Sequence, residues 1–354
     1  MSRAPTRAPA RAPTRAIVAF AALLLLGLAP AALADPAAAS LTAPEPADPA
    51  ADTPRPRFGG TAVLETSVGR GTFIRDDVVR RPLATLYVSV RPEARFGPRR
   101  SVAVGLGFDF DVNLVENADS ESTRPRQVRA GDLELFARYD RLAHWERGHL
   151  TFGAGASITT PTSLLSRFQT KLFGLGLSTA TSWEPLDWLG VSWAFSVTKN
   201  FNRYRTAVLR AGAFDIAPPT RAGGAEVVAE GRVATDLGVT SWLVGNALSL
   251  DFSFLERFSA SVGWELVHAF SYNRYPKDDL AAPAAQGGRG RSDVMAGSVE
   301  VGVDIIEHLS VAVGTLVQQA PKSLDNRRFR FPFWDTSNGA DNRQIFFLDV
   351  TGTF

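Results

Sequence analysis

The stretch SVAVGLGFDFDVNLVE, residues 101–116, decides the fold of this chain because it alternates between two kinds of side chain. One parity is apolar: Val102, Val104, Leu106, Phe108, Phe110, Val112 and Leu114. The other parity is small or polar: Ala103, Gly105, Gly107, Asp109, Asp111 and Asn113. At the chain's hydrophobic content of 45%, so long an apolar run on one parity would arise by chance in roughly 0.004 of windows. An α-helix cannot sort residues in this way, so the stretch predicts a β-strand.

The length of this alternation is as informative as its period. Strands of soluble sheets usually run for about five or six residues, whereas strands that cross a membrane at a tilt need about nine to eleven. The alternation from residue 102 to residue 114 is longer than either. It recurs in four more stretches: HLTFGAGASIT (149–159), LFGLGLSTATSW (172–183), WLVGNALSLDFSF (242–254) and FSASVGWELVHAF (258–270).

The connections between these stretches alternate between short and long. Three tight turns share one pattern, in which an acidic and an apolar residue precede a new strand: SWEPLDWLGVSW (182–193), FSFLERFSASVG (252–263) and VDIIEHLSVAVG (303–314). Long polar segments separate them, at residues 70–81, 116–127, 161–170, 200–234, 273–292 and 319–342. Twelve strands are therefore predicted, near residues 60–69, 82–91, 101–114, 129–140, 149–160, 172–183, 189–199, 236–249, 257–270, 294–305, 309–318 and 343–354.

Twelve long strands joined alternately by short turns and long loops resemble the bacterial outer-membrane β-barrel. The resemblance implies an all-β, transmembrane, antiparallel up-and-down barrel whose short turns face the periplasm. Physical logic agrees, because lipid offers no hydrogen bonds and a spanning sheet must close on itself with an apolar outer face. The alternative is a soluble two-sheet sandwich that buries the apolar parity, but its strands would be unusually long.

The first residues predict export from the cytoplasm. Four arginines precede the apolar run from Ile17 to Leu28, and Ala32-Leu33-Ala34 follows it, which is the layout of a secretory signal peptide over residues 1–34. The apolar run is short for a membrane span, so a retained signal anchor is the less favoured alternative. Residues 35–58 are rich in Ala and Pro and predict a flexible periplasmic lead, with the barrel over residues 59–354.

Charge and cysteine content exclude several classes of function. Removal of the arginine-rich leader takes the formal charge from +2 to a slightly negative value, so the basic precursor gives no reason to expect nucleic acid as a partner. The chain has no cysteine, which excludes disulfides and thiolate chemistry.

If the apolar parity faces lipid, the opposite parity faces the barrel interior. The predicted lining carries Glu65, Asp109, Asp111, Asp132, Glu134, Arg138, Glu265, Glu300 and Asp349, with Tyr87, Asn113 and Asp304 on the same parity. An excess of carboxylates in a water-filled bore favours cations and polar solutes. The alternative is that arginines reach in from loops, pair with these carboxylates and plug the interior. The first hypothesis for function is therefore a channel or transporter for small polar solutes.

The predicted outer loops carry the cations. Arginine and lysine cluster at Arg124, Arg126, Arg129, Arg203, Arg205, Arg210, Arg274, Lys277, Arg289, Arg291, Arg327, Arg328 and Arg330. Such clusters either bind anionic lipopolysaccharide or are simply solvated. They also support the alternative hypothesis of a non-conducting surface barrel that binds a ligand or a protein. The longest loop, 200–234, is the best candidate for a lid or a constriction.

No catalytic, cofactor or metal site is predicted. Outer-membrane phospholipases are also twelve-stranded, and they pair a histidine with a serine two residues later. The histidines are His144, His149, His268 and His308, and the residue two positions after His268 is Phe270, so the nucleophile is missing. Asp109 and Asp111 alone offer too few oxygens for Ca²⁺.

The segment NRQIFFLDVTGTF, residues 342–354, predicts the strand that closes the barrel against the first strand near Thr61. Its apolar Phe346, Leu348 and Val350 alternate with polar residues such as Asp349. A terminal aromatic residue, Phe354, on such a strand resembles the signal read by the outer-membrane assembly machinery. The expected location is therefore the bacterial outer membrane, and the expected partners are its lipid, lipopolysaccharide, the assembly machinery and small solutes.

Overall fold

A computed structural model describes residues 57–69, 84–97, 101–114, 128–210, 227–229, 232–273, 289–323, 327–333 and 342–354 of the chain. The expected signal peptide and the lead up to residue 56 lie outside these residues, so both stay predictions. Within the described part, no helix has the length and apolar character needed to cross a membrane.

The described chain is almost entirely β-structure. Its strands are β1 (Phe58–Gly69), β2 (Ala84–Phe96), β3 (Val102–Asn113), β4 (Val128–Ala130), β5 (Leu133–Trp145), β6 (Leu150–Thr160), β7 (Lys171–Leu186), β8 (Leu189–Asn202), β9 (Thr206–Arg210), β10 (Val227–Ala229), β11 (Arg232–Gly238), β12 (Thr240–Phe254), β13 (Phe258–Asn273), β14 (Arg289–Ile306), β15 (Leu309–Gln319) and β16 (Asn342–Thr353). A five-residue helix, α1 (Leu164–Phe168), lies between β6 and β7, and a 3₁₀ turn (Glu146–Gly148) joins β5 to β6.

Twelve of these strands form one closed antiparallel barrel. Each is hydrogen-bonded to the next in the order β1, β2, β3, β5, β6, β7, β8, β12, β13, β14, β15 and β16, and β16 returns to β1. Successive strands are neighbours throughout, so the predicted twelve-stranded up-and-down barrel is confirmed. Short β4 extends the pairing of β3, and β9, β10 and β11 form a small separate sheet.

The closing seam lies where the sequence predicts it. Thr61 of β1 is opposite Thr353 of β16. Beyond this pair, the backbone N–H of Gly60 donates to the carbonyl of Phe354 over 2.9 Å, and the N–H of Phe354 donates to the carbonyl of Gly60 over 3.1 Å. No edge is left unpaired at this seam, as a barrel in lipid requires.

The two parities of each strand have opposite environments. On β3, the side chains of Leu106 and Phe110 are 37% and 43% exposed, whereas Ala103 is completely buried. Large apolar side chains are exposed in the same way around the barrel: Leu135, Ile158, Leu177, Trp193, Leu248, Val301, Val313 and Leu348. An outer face of this composition is stable only against lipid, so the barrel spans a membrane.

The two ends of the barrel differ in their connections. Short turns at residues 146–149, 187–188, 255–257 and 307–308 lie at the end where β1 begins and β16 finishes. The long connections lie at the opposite end, here called the outer end. This arrangement matches the predicted alternation of periplasmic turns and outer loops.

The fourth predicted strand, 129–140, is split and longer than predicted. It consists of β4, a break at Gly131 and Asp132, and β5, which continues to Trp145. At the break, Thr162 of the following loop accepts a hydrogen bond from the N–H of Leu133 (2.8 Å) and donates one to the carbonyl of Gly131 (2.9 Å). The Thr162 side chain thus provides hydrogen bonds to backbone groups at the point where the strand pairing is interrupted.

Part of the outer face is covered by the chain itself. Met295 and Gly297 of β14 and Val317 and Gln319 of β15 have outward parity but are buried. Residues 330–333 lie on them, since a Cβ at Gly297 would be 2.4 Å from the carbonyl oxygen of Pro332. The Gln319 amide also donates to the carbonyl of Phe331. The loop after β15 therefore folds back over the rim of the barrel.

Gly314 on β15 permits a close approach of an aromatic ring. The Phe347 side chain of β16 lies against it, and a Cβ at Gly314 would be 2.3 Å from the ring and 2.6 Å from the carbonyl oxygen of Val299. Gly314→Ala is therefore expected to lower the free energy of unfolding by about 1–3 kcal/mol, because ring and backbone must both move. Urea unfolding followed by tryptophan fluorescence measures this.

Gly352→Ala on the neighbouring strand is the matched control, because its new Cβ would meet only the His308 carbonyl oxygen at 3.9 Å. Equal unfolding free energies for the two variants would show that Phe347 does not pack on Gly314 as described.

Candidate functional site

The buried face of the barrel carries two adjacent groups of ionisable residues. The first, here called the paired wall, lies on β2, β3 and β5 and consists of Tyr87, Arg91, Glu93, Arg95, Asp109, Glu134, Arg138 and Asp140. The second, here called the acidic wall, lies on β13, β14, β16 and β1 and consists of Glu265, Glu300, Asp349 and Glu65. Seven of the nine predicted lining residues belong to these walls. Asp111 and Asp132 lie at the outer end.

Two arginines and two carboxylates form a closed ring on the paired wall. Arg95 contacts Glu93 at 2.5 Å and Asp140 at 2.7 Å. Arg138 contacts the same two carboxylates, Glu93 at 2.8 Å and Asp140 at 3.0 Å. Each cation bridges both anions, so the ring has no net charge. Buried charges are tolerated when they are paired in this way, and removing one partner is costly.

The rest of the paired wall follows the same rule. Arg91 donates to Glu134 at 3.0 Å, and the Tyr87 hydroxyl donates to Asp109 at 2.9 Å. Nearer the outer end, Arg129 of β4 pairs with Asp111 of β3. The carboxylates predicted on these strands are therefore neutralised or hydrogen-bonded by neighbours within the barrel wall. Among the described residues, the cations that pair with them lie on β2, β4 and β5, and these include Arg129, which the sequence places in an outer loop.

The acidic wall consists of carboxylates that are almost fully enclosed. Glu65, Asp349, Glu300 and Glu265 are 1%, 1%, 4% and 6% exposed. Glu65 is directly opposite Asp349 across the closing seam, and it accepts a hydrogen bond from Ser67. Among the described residues, Glu65 Oε2 and Glu265 Oε1 have no hydrogen-bond partner. Buried carboxylate oxygens of this kind require water or a cation.

The remaining arc of the buried face lies on β6, β7, β8 and β12 and is mostly lined by hydroxyl groups. It carries Thr151, Ser182, Ser196, Thr198 and Asp251. Ser249 donates to Asp251 at 3.0 Å and lies 2.7 Å from Ser192. Hydroxyls can both donate and accept, so this arc suits polar solutes of either charge.

Toward the outer end of β14, β15 and β16 the buried face becomes apolar. Val294, Ala296, Leu316, Ile345 and Phe347 form one cluster there. The interior is therefore polar in its middle and inner parts and apolar along one side of its outer part.

Asp132 organises the outer end of the barrel near α1. Its carboxylate accepts from the Ser163 N–H at 2.9 Å, the Ser166 hydroxyl at 2.5 Å and the Lys171 ammonium at 3.0 Å. Burial raises the pKa of Asp132, but the Lys171 charge and the hydrogen bonds from Ser166 and Ser163 outweigh it, so the pKa is lowered. These contacts make Asp132 an anchor for the loop between β6 and β7.

Asp132→Asn is expected to release this loop. Because the Lys171 side chain is completely buried, the loss of its partner should lower the free energy of unfolding by about 3 kcal/mol. The loop should then open more often, and trypsin should cleave faster after Arg167, which lies on the exposed side of α1. In the native protein, protonation of Asp132 at acidic pH should release the loop in the same way, and its lowered pKa sets where this happens. The anchor persists above the ordinary aspartate pKa and is lost as the pH falls through the lowered value.

Tryptic cleavage after Arg167 at neutral pH is the measurement. Glu307→Gln, which removes an exposed carboxylate from an inner turn, serves as the control for charge alone. Cleavage of Asp132→Asn at the wild-type rate would contradict the anchor.

The histidines do not form a catalytic arrangement with a serine in the described contacts. His268 faces outward and contacts Asp293 at 2.8 Å and Arg291 at 3.1 Å. His144 contacts Thr151 at 2.9 Å. No group of three or more potential metal ligands occurs in the part of the chain that the structure describes. The absence of catalysis, metal and cofactor stays a prediction.

The predicted loop cations and the terminal residue are only partly within the described residues. Arg203, Arg205, Arg291, Arg327 and Arg328 are exposed, whereas Arg330 is buried. Arg124, Arg126, Arg274 and Lys277 lie outside the described residues, as does the middle of the 200–234 loop. The Phe354 ring lies against Gly60, 2.7 Å from the position of a Cβ there. Its role as an assembly signal stays a prediction.

Several interior residues were missed by the sequence reasoning. Glu93 and Arg95 lie beyond the second predicted strand, which ends at residue 91, although the polar parity continues through RPEARF to Phe96. Arg91 lies within that predicted strand but is not among the predicted lining residues. Asp140 lies within the fourth predicted strand, 129–140, and shares the parity of Arg138, but it is not among the predicted lining residues. Asp251 lies between Leu250 and Phe252, and the alternation could have indicated it. No sequence signal pointed to Lys171.

The sequence matches no protein-family model and no curated protein. The structure is similar to that of an outer membrane channel from Pseudomonas putida F1, with a TM-score of 0.51 and 14% identity over 87% of this chain and 100% of that one. The KdgM porin gives a TM-score of 0.37 at 11% identity over 83% and 99%. The channel DcaP of Acinetobacter baumannii gives 0.33 at 10% over 84% and 96%. The first of these similarities supports the closed antiparallel β-barrel fold described above.

Proposed function

We propose that this barrel is a passive channel of the bacterial outer membrane that passes small polar solutes and favours cations. The observation that carries the proposal is the division of the interior into two walls: a paired wall, in which three arginines offset three of the four carboxylates, and an acidic wall of four carboxylates. A structural plug would place a cation beside every carboxylate. Glu65 and Glu265 instead keep carboxylate oxygens without a hydrogen-bond partner among the described residues.

The electrostatics of such an interior favour cations. Carboxylates in a narrow, low-dielectric bore create a negative potential that concentrates counter-ions several-fold or more. The paired wall contributes hydrogen-bonding groups and a smaller net field, because its three arginines each contact a carboxylate within about 3 Å and only Asp109 is left without a cation of its own. The acidic wall therefore determines the charge preference.

The size of the barrel fits small solutes. Barrels of about eight strands are filled by their own side chains, and barrels of sixteen or more leave a wide aqueous channel. A barrel of twelve strands lies between these limits. The similar fold of the Pseudomonas putida outer membrane channel supports the same class of function.

Planar-bilayer recording of the purified protein tests the proposal. We expect discrete conductance steps from barrels whose folded state is verified by heat-modifiable migration on a gel. Folded protein that inserts but never conducts would exclude the channel.

That outcome would favour a second function, a non-conducting surface barrel that binds a ligand or a protein through its outer loops. The observation behind it is the exposure of Arg203, Arg205, Arg327 and Arg328 at the outer end. In either case we infer that the assembly machinery inserts the barrel through its terminal strand, with Phe354 as the recognised residue.

A further inference from the structure

Four outward-facing residues form a row across neighbouring strands near the outer end of the barrel. Lys199 of β8 is opposite Trp242 of β12, Trp242 is opposite Phe270 of β13, and Phe270 is opposite Arg291 of β14. The row has a cation at each end and two aromatic rings between them, and it is here called the rim platform. Its position is outside the bore, so it has no part in the proposed channel.

Lys199 is held by aromatic rings on the lipid-facing side. Its ammonium lies 4.6 Å from the centre of the Tyr272 ring, 5.0 Å from that of Trp242 and 5.7 Å from that of Phe201. It also donates to the Ser241 hydroxyl at 2.5 Å. Lysine is costly on the lipid face at the middle of the bilayer but not at the interface. Aromatic rings mark the same interface.

Arg291 is oriented by its neighbours at the other end of the row. Its guanidinium lies 5.7 Å from the centre of the Phe270 ring. Its Nε donates to Asp293 at 2.7 Å, and one terminal nitrogen lies 3.1 Å from His268 Nδ1. The side chain remains 53% exposed. A guanidinium has five N–H groups, so donors remain for a ligand.

The spacing and charge of the rim platform indicate what kind of ligand it suits. Adjacent strands are about 4.8 Å apart, so three steps put the backbones of Lys199 and Arg291 roughly 14 Å apart. Asp293 offsets one of the two cations, so Lys199, Arg291 and Asp293 together carry a formal charge of +1. Such a site suits a ligand that carries two anionic groups on a rigid spacer. A phosphate would then lie at each end of the row, and the flat apolar surface of the spacer would lie over the two rings.

We propose that the rim platform binds the phosphorylated sugar headgroup of lipopolysaccharide in the outer leaflet. Lys199 and Arg291 contact separate phosphates, and Trp242 and Phe270 support the sugar between them. The bound lipid would cover the rim of β8 to β14 with its acyl chains against the apolar outer face below.

Native mass spectrometry of the folded barrel in detergent tests this with purified lipid A as the probe. We expect bisphosphorylated lipid A to bind about tenfold more tightly than the monophosphorylated form. Phosphatidylglycerol should bind more weakly than either. Equal binding of all three lipids would overturn the proposal, because it would indicate a general anionic-lipid surface. This comparison uses the unaltered protein and does not depend on a variant that folds.

The variant Lys199→Gln with Arg291→Gln is expected to lose about tenfold in affinity for bisphosphorylated lipid A. The matched control is Lys322→Gln with Arg328→Gln, which removes the same charge from exposed residues of the loop after β15. Wild-type affinity in the platform variant, or equal losses in both variants, would overturn the proposal. Conductance should be unchanged in the platform variant, which separates this result from failure of the channel.

Discussion

Asp140→Asn is expected to lower the free energy of unfolding by about 3 kcal/mol, one of the largest effects of a single substitution in this barrel. Asp140 is 4% exposed and contacts Arg95 at 2.7 Å and Arg138 at 3.0 Å. Without its charge, the buried guanidinium of Arg95 and the half-buried guanidinium of Arg138 share the single carboxylate of Glu93. Equilibrium unfolding in urea, followed by tryptophan fluorescence in a defined detergent, measures the change.

A compensating substitution distinguishes charge balance from lost packing. Asp140→Asn combined with Arg138→Gln leaves the Arg95–Glu93 pair, whose separation is 2.5 Å, and restores a ring of no net charge. The double variant should recover part of the lost stability. A double variant less stable than the single one, or a single variant as stable as wild type, would contradict the closed ring.

Neutralising the acidic wall is expected to change the ion preference most. The triple variant Glu65→Gln, Glu265→Gln and Glu300→Gln should reduce the ratio of potassium to chloride permeability by roughly tenfold, because it removes three of the four carboxylates that create the negative potential. Reversal potentials across a planar bilayer under a salt gradient measure this ratio.

Arg91→Gln with Glu134→Gln is the matched control from the paired wall. These two residues form an ion pair at 3.0 Å, so removing both charges leaves the net charge of the interior unchanged. We expect this variant to change the ratio of potassium to chloride permeability less than the triple variant of the acidic wall does. Equal changes in the two variants would mean that the paired wall and the acidic wall do not differ as described.

The fold was largely predictable because each strand carries its own signal. The parity of residues 102–112 survives in the structure, since the apolar side chains are exposed or half-buried and the small or polar ones are buried or half-buried. The closing pair at Thr61 and Thr353 follows from the same alternation in the segment 342–354. The boundary errors arose where polar residues continue a strand, as in RPEARF, or where a loop replaces strand pairing, as at Gly131 and Asp132.

The site was less predictable because it depends on partners from distant parts of the chain. The alternation indicates which parity Glu134 and Arg138 occupy, but not that Arg91 pairs with the first and Glu93 with the second. Those contacts depend on the register of β2, β3 and β5. Asp132 illustrates the same limit. Its parity suggested the lining, whereas its contacts with Ser163, Ser166 and Lys171 make it a loop anchor.

The reversal potential of the wild-type barrel tests the central claim most directly. A single folded barrel is placed in a planar bilayer with more potassium chloride on one side than on the other, and the voltage of zero current is measured. The acidic wall predicts a value displaced toward the potassium equilibrium potential. A value displaced toward the chloride equilibrium potential, or a folded and inserted barrel that passes no current, would contradict it.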